Sequence, residues 1–266
     1  PSILRTRSTR SARASRRTPP TRTGSRVRIV DLSHPLTTGM PVYPGDPSVT
    51  ITPALSVAED GVAVAHLSLG SHSGTHLDAP SHSIEGGRTV DQIPLELLQG
   101  DALVLQLRVP ANHRITLADL PETLPERLPQ IVCIATGWDQ YFAPSATTSA
   151  ADPGAAESST LTAMLSHPFL APELATELWR RGARVLGGDA LSPDPSGELS
   201  DGTLPVHEIW LGQAGVIVEN LTGLTTLPER VEMILAPLPL TGVDGSPIRA
   251  MARIATNSAE STRTNN

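Results

Sequence analysis

The sequence predicts an α/β domain with a mixed β-sheet and flanking helices, and three observations carry that reading. Short β-branched and leucine-rich runs bounded by Gly, Pro or charge recur along the chain, as strands require. Twice a helix-length stretch that opens on a proline leads through a glycine into such a run, at residues 172–186 and 205–219. The 266 residues, 39% of them hydrophobic and 18% charged, are enough for one core of ordinary size.

Residues 1–26 are rich in Arg, Ser and Thr and nearly devoid of apolar side chains. Burial cannot offset the entropy of ordering them, so a disordered arm is expected. The arm lacks the apolar core of a secretory signal, and its composition also fits a transit peptide or a nucleic-acid-binding tail. A strand at Val27–Val30 opens the fold, followed by Asp31-Leu-Ser-His-Pro-Leu36 and the loop Gly39–Asp46, whose prolines and glycines fix turns. Val49–Ile51 reads as a short strand. Gly61–Leu69 alternates, with Val62, Val64 and His66 on one face and Ala63, Ala65, Leu67 and Leu69 on the other, the period of a strand.

Ala102–Val109 and Ile131–Ala135 are β-rich, and Cys133 within the second reads as a small core hydrophobe. Residues 143–160 are polar and of low complexity, the composition of a mobile surface insertion. Pro172–Arg181 reads as a helix, with Leu174 and Leu178 four apart and Gly182 as its stop, and Ala183–Leu186 as the strand after it. Pro205–Gln213 is a second short helix, closed by Gly215 before the strand Val216–Glu219. Met233–Leu235 and Ile248–Ile254 are the last strands. No internal repeat is present, residues 27–257 are expected to form a single domain, and 258–266 a flexible tail.

Composition excludes several classes of function. The net charge of −7 averages two unlike pieces: residues 1–28 hold nine Arg and no acid, so the rest carries eleven Arg against 27 acidic residues, a net of −16. The chain has no lysine, which removes Schiff-base chemistry and a phosphate-binding P-loop lysine. One cysteine rules out an intrachain disulfide and a cysteine zinc knuckle. With 3% aromatics, stacking on single-stranded nucleic acid is not expected, apart from weak binding by the basic arm. No apolar run approaches the roughly 18 residues of a membrane span, so no membrane partner is expected and the cytoplasm is the expected location.

The chemistry concentrates in residues 72–82, His-Ser-Gly-Thr-His-Leu-Asp-Ala-Pro-Ser-His, which hold three of the eight histidines and a carboxylate. Gly74 and Pro80 argue against one helix through the segment and for a strand end running into a turn. In extended backbone His76 and Asp78 project from the same side, and the turn at Gly74 can bring His72 back to the same point. Imidazoles and a carboxylate converging this way suit a Zn2+ or Mn2+ site, and a carboxylate can bridge two ions.

The stretch resembles the H-x-G-T-H-x-D-A-P-x-H signature of the metal-dependent cyclase family that includes bacterial kynurenine formamidases and isatin hydrolase, and it matches every fixed position. The resemblance extends to Asp31–Leu36, Pro41–Asp46, Gly188-Asp189 with Ser192, His207 with Glu219, and Leu238–Leu240 through Gly242–Arg249. It implies a swivelling β/β/α-like, barrel-like sheet, two divalent metal ions with zinc first and manganese second, and a homo-oligomer, dimer or tetramer. It further implies that His72, His76 and Asp78 bind one ion, that Asp78 reaches the second, and that His207 and a bridging Glu219 complete the pair. His82 is implied as a proton shuttle, a role that needs an imidazole not held by metal. Kynurenine formamidases typically carry tryptophan where this chain has Tyr43, so Tyr43 is expected to contact the substrate.

The reading is therefore a dinuclear-metal hydrolase of a small amide, an aryl formamide or a cyclic amide. Two rivals use the same residues. One is a metal-dependent cyclase or C–C bond-cleaving enzyme of secondary metabolism, in which the metals stabilise an enolate. The other is a metal- or partner-binding protein, against which a spare His82 beside a full ligand set weighs. Elsewhere, His34 and His66 are expected near the site or in structural hydrogen bonds, His113 and His167 at the surface or capping, and Asp189 and Asp244 in turns.

Overall fold

Seven strands close on one another in the computed structural model, which describes residues 26–122, 124–142 and 160–256. Residues 28–254 cluster as one compact unit; of the residues outside it, 26–27 and 255–256 are described, as strand residues. The strands are β1 (Arg26–Asp31), β2 (Thr50–Leu55), β3 (Val64–Ser68), β4 (His76–Asp78), β5 (Gln99–Gln106), β6 (Arg114–Ile115), β7 (Ile131–Ala135), β8 (Phe169–Leu170), β9 (Val185–Gly188), β10 (Val216–Glu219), β11 (Arg230–Pro237) and β12 (Gly245–Thr256). The helices are α1 (Val57–Asp60), α2 (Pro172–Arg180) and α3 (Pro205–Leu211), and residues 160–165 are also helical.

The barrel runs β12-β11-β5-β7-β9-β10-β4, and β4 pairs back onto β12, whose other edge carries β1. The segment β5-β7-β9-β10 is parallel, while β4, β11 and β12 are antiparallel to their neighbours. Both faces of the parallel strands are buried, which is why their sequences are continuously apolar rather than alternating. Ile131, Cys133 and Ala135 of β7 join Leu77, Val218 and Met233 in one core. Val132 and Ile134 of the same strand face the other way and join Leu186, Ile217 and the buried sides of α2 and α3 in a second. Leu174 and Leu178 of α2 are fully buried, each contributing roughly 1.5–3 kcal/mol by area. Trp179 meets Trp210 of α3 edge to face at 5.4 Å between ring centroids.

The α/β class, the mixed barrel-like sheet and both predicted helices are present. Differences arise where a partner distant in sequence decides. His76–Asp78, expected as a strand end, is itself a strand held between β10 and β12. The strand expected from Gly61 begins at Val64, because Ser56 caps α1 by accepting the Glu59 N–H, and α1 ends at Gly61. Both faces of this β2–β3 ribbon are open: Val62, Val64 and Leu67 are 55%, 47% and 57% exposed, and His66 is exposed on β3. His167, expected at the surface, is buried, its Nδ1–H donating to the Pro168 carbonyl and its Nε2 accepting from the Ser196 hydroxyl. Burial holds its pKa down, as a neutral tautomer with one donor and one acceptor requires. Arg26 belongs to β1 and Thr160 to a helix; the expectations for residues 1–25, 143–159 and 258–266 lie outside the described residues. No helix among the described residues is long and apolar enough to cross a membrane.

Candidate metal centre

The site forms on the outer face of β4 and β10, where α3 begins. His76 and Asp78, two apart in β4, share that face, and the antiparallel register sets Glu219 opposite His76 and Ile217 opposite Asp78. The intervening Leu77 and Val218 pack into the opposite core. After α3 the chain reverses through residues 212–215 and enters β10, so His207 in the first turn of α3 stands over Glu219. Gly74 makes the turn between His72 and β4 at φ +66°, where a Cβ would also lie 2.7 Å from Leu36. On β12, a Cβ at Gly245 would lie 2.6 Å from the His72 ring, so that glycine lets the imidazole pack on the backbone. A 3-10 turn, Pro80–His82, brings His82 back toward the cluster.

Five predicted ligands converge. His76 Nε2 lies 3.3 Å from both Asp78 Oδ1 and Glu219 Oε2. His207 Nε2 is 3.6 Å from Asp78 Oδ2 and 3.4 Å from Glu219 Oε1. His72 Nδ1 is 2.7 Å from Asp78 Oδ1, with its Nε2 2.9 Å from Asp244 Oδ2. The potential ligand atoms of His72, His76 and Asp78 lie within 4.8 Å of one another, as do those of Asp78, His207 and Glu219, so Asp78 belongs to both groups. His82 sits beside them, its ring 4.1 Å from His72 and 5.6 Å from His207, and its Nδ1 3.3 Å from Asp244 Oδ2.

Charge is balanced within this cluster. Burial would push Asp78 up, but the His76 charge and the close approach of the His207, His72 and His76 rings hold it well below the usual carboxylate range. Glu219 is lowered too, its contacts with His207 and His76 outweighing burial and repulsion from Asp78. Against their own burial, Asp78 and Asp244 raise His72, Asp78 and Glu219 lift His76 well above an ordinary histidine, and Asp194 first, with Asp78 and Glu219, does the same for His207. Asp244 is held at about 2, with burial overcome by hydrogen bonds from His72, His82 and Ser71.

The donor set fits a divalent metal. Asp78 Oδ2 and Glu219 Oε1 are buried and accept no hydrogen bond, a costly state that a coordinated cation relieves. His76 gives its Nδ1–H to the Gly74 carbonyl at 2.9 Å, leaving Nε2 free to face the carboxylates. Beside the cluster a cavity of about 460 Å³ is lined by Tyr43, Asp46, Leu191 and Leu204 together with His82 and His207.

The remaining predicted polar residues divide. Asp189 is structural, accepting from Thr136 N, Thr136 Oγ1 and Gly137 N at 2.6–2.8 Å and tying the end of β9 to the end of β7. His34 packs its ring on Phe142 at 4.8 Å, and His113 bonds Asp119 at 2.9 Å. Asp244 does more than shape a turn, since it touches both His72 and His82. Asp194, to which the sequence alone assigns no role, is fully buried and bonded to His207 at 2.7 Å. Its partner lies thirteen residues away, and the only local signal was a polar residue inside Ser192-Pro-Asp-Pro-Ser196.

Comparison with known proteins agrees with the geometry. A family model described as "Putative cyclase" matches residues 30–195. The kynurenine formamidase of Geobacillus thermodenitrificans is 30% identical over 226 residues, covering 84% of this chain and 96% of that protein. A solved "predicted metal-dependent hydrolase from Bacillus stearothermophilus" is 28% identical with a TM-score of 0.64, covering 86% of this chain and 98% of the other. Isatin hydrolase A from Labrenzia aggregata shares the fold, with a TM-score of 0.70 at 24% identity over 86% of this chain and 94% of that one. The chain therefore belongs to the cyclase family and is kynurenine formamidase-like within it.

Proposed function

We propose that this chain is a metal-dependent hydrolase of a small amide, an aryl formamide or a cyclic amide, cleaving a C–N bond that is not a peptide bond. The observation that carries this is a pair of imidazole–carboxylate groups sharing the buried Asp78, beside a cavity that also presents His82. Kynurenine formamidases among its relatives support it. His72, His76 and Asp78 would hold one divalent ion, and Asp78, His207 and Glu219 a second, zinc before manganese given nitrogen and oxygen donors without thiolate. When bound, such ions polarise a scissile carbonyl and activate water. His82, oriented by Asp244, delivers a proton to the leaving nitrogen, and Tyr43 lines the wall against which an aryl group stacks.

We further place the enzyme in the cytoplasm as a homodimer. The open apolar side chains of Val57, Val62 and Leu67 on and beside the β2–β3 ribbon support self-association.

The test is a panel of aryl formamides and cyclic amides assayed for carboxylate or formate release, run on the parent and on His82→Ala. The parent should hydrolyse at least one member. His82→Ala should keep its metal and lose about 10²- to 10⁴-fold in turnover, the usual cost of removing a general acid or base. Metal loss in His82→Ala would make it a ligand instead, and a metal-replete parent that releases no acid from any amide would favour the cyclase reading.

A further inference from the structure

Asp194 is fully buried, and among the described residues the His207 imidazole is the one side chain bonded to its carboxylate. Its Oδ1 accepts the Val206 N–H at 2.8 Å, and its Oδ2 accepts both the His207 backbone N–H at 3.0 Å and the His207 ring at Nδ1, 2.7 Å away. Ser192 Oγ in turn accepts the Asp194 N–H at 3.1 Å, fixing the loop that presents the carboxylate. Every bond the acid makes converges on the first turn of α3 and on one imidazole.

We infer that Asp194 is a positioning residue that sets the tautomer and direction of His207 for metal binding. An ionised carboxylate can only accept, so Nδ1 carries the proton, and when His207 binds metal as neutral imidazole it is Nε2 that offers its lone pair. Nε2 faces Asp78 Oδ2 and Glu219 Oε1, two buried carboxylate oxygens that accept no hydrogen bond. His72 contrasts with this arrangement: both its ring nitrogens are engaged by carboxylates, Asp78 and Asp244, and its side chain is 16% exposed. The Asp78–His207–Glu219 group is therefore the preorganised half of the cluster and takes the first ion, and Asp194 is the cause.

This inference rests on the proposed role of His207 as a ligand, and the test separates the two. Asp194→Asn is nearly isosteric but places an NH2 donor among donors; turned toward His207, it reverses the tautomer and puts a proton on Nε2. Metal content would be followed against a competing chelator in the parent, Asp194→Asn, His207→Ala and the double variant, with far-UV circular dichroism of each metal-free protein as the check on folding.

Asp194→Asn should bind its first ion about 10- to 100-fold more weakly, the range seen when an outer partner of a ligand is lost. Its turnover should return toward the parent's at high metal with KM unchanged, and Asp194→Asn should add nothing to the loss in His207→Ala. If His207→Ala binds like the parent, the ligand assignment fails. If His207→Ala loses metal while Asp194→Asn holds it as the parent does, this inference alone is overturned. It is equally overturned if metal-free Asp194→Asn is unfolded or if the two losses add in the double variant, because Asp194 then acts on the fold and not through His207.

Discussion

On the proposed reading, Tyr43 sets selectivity without taking part in bond cleavage. It borders the cavity beside the imidazole cluster and lies outside the groups whose atoms converge for a metal. Its ring would replace water around an aryl ligand, an exchange worth about 1 kcal/mol beyond area burial. Tyr43→Ala should therefore raise KM for an aryl formamide about fivefold and leave kcat and a small aliphatic amide nearly unchanged, as steady-state kinetics on both substrates would reveal. An equal loss on both substrates would remove the aryl pocket from the account. Part of the cluster was legible because His72, His76 and Asp78 sit in one segment whose spacing already implies a common face, whereas His207 and Glu219 were reached only through the family resemblance. Asp194 was not legible, because its meaning lies in a bond to a helix thirteen residues on.

Between elements, the junction of β7 and β9 depends on Asp189, a buried acid bonded only to neutral groups. Burial pushes its pKa up to about 6, against the hydrogen bonds from Thr136 and Gly137 that lower it. The folded value lies above the unfolded one, so the protonated form is favoured by folding. The contribution is complete below about pH 4 and is lost as pH rises through 6. Relative to Asp189→Asn, which cannot titrate, parent stability should fall by about 2 kcal/mol between pH 4 and pH 7 in urea unfolding. A difference that stays flat across that window would contradict the buried-acid reading. The elements themselves were read best where the pattern was local: α2 and α3 start at their prolines and β7 keeps its predicted ends. β4 was obscured by its length and by flanking Gly74 and Pro80, since both strands that make it a strand, β10 and β12, come more than a hundred residues later. For β3 the alternation gave two faces but not whether anything covers them, and among the described residues neither face is buried.

At the scale of the molecule, the closed barrel leaves the β2–β3 ribbon as its apolar projection, and a second copy of the chain is the proposed cover. Replacing both Val62 and Leu67 by Glu should convert the assembly to monomer in sedimentation velocity while shifting monomer stability by no more than about 0.5 kcal/mol, because both side chains are exposed. An unchanged sedimentation coefficient would move the interface elsewhere. The cluster of β4, β10 and α3 needs the whole barrel to form, since its residues come from segments more than a hundred positions apart. Asp78 is its centre, with one oxygen beside His72 and His76 and the other beside His207. Elemental analysis of the purified parent and of Asp78→Ala tests this most directly. The account predicts about two divalent ions per parent chain and the loss of both in Asp78→Ala; full occupancy in the variant would contradict it.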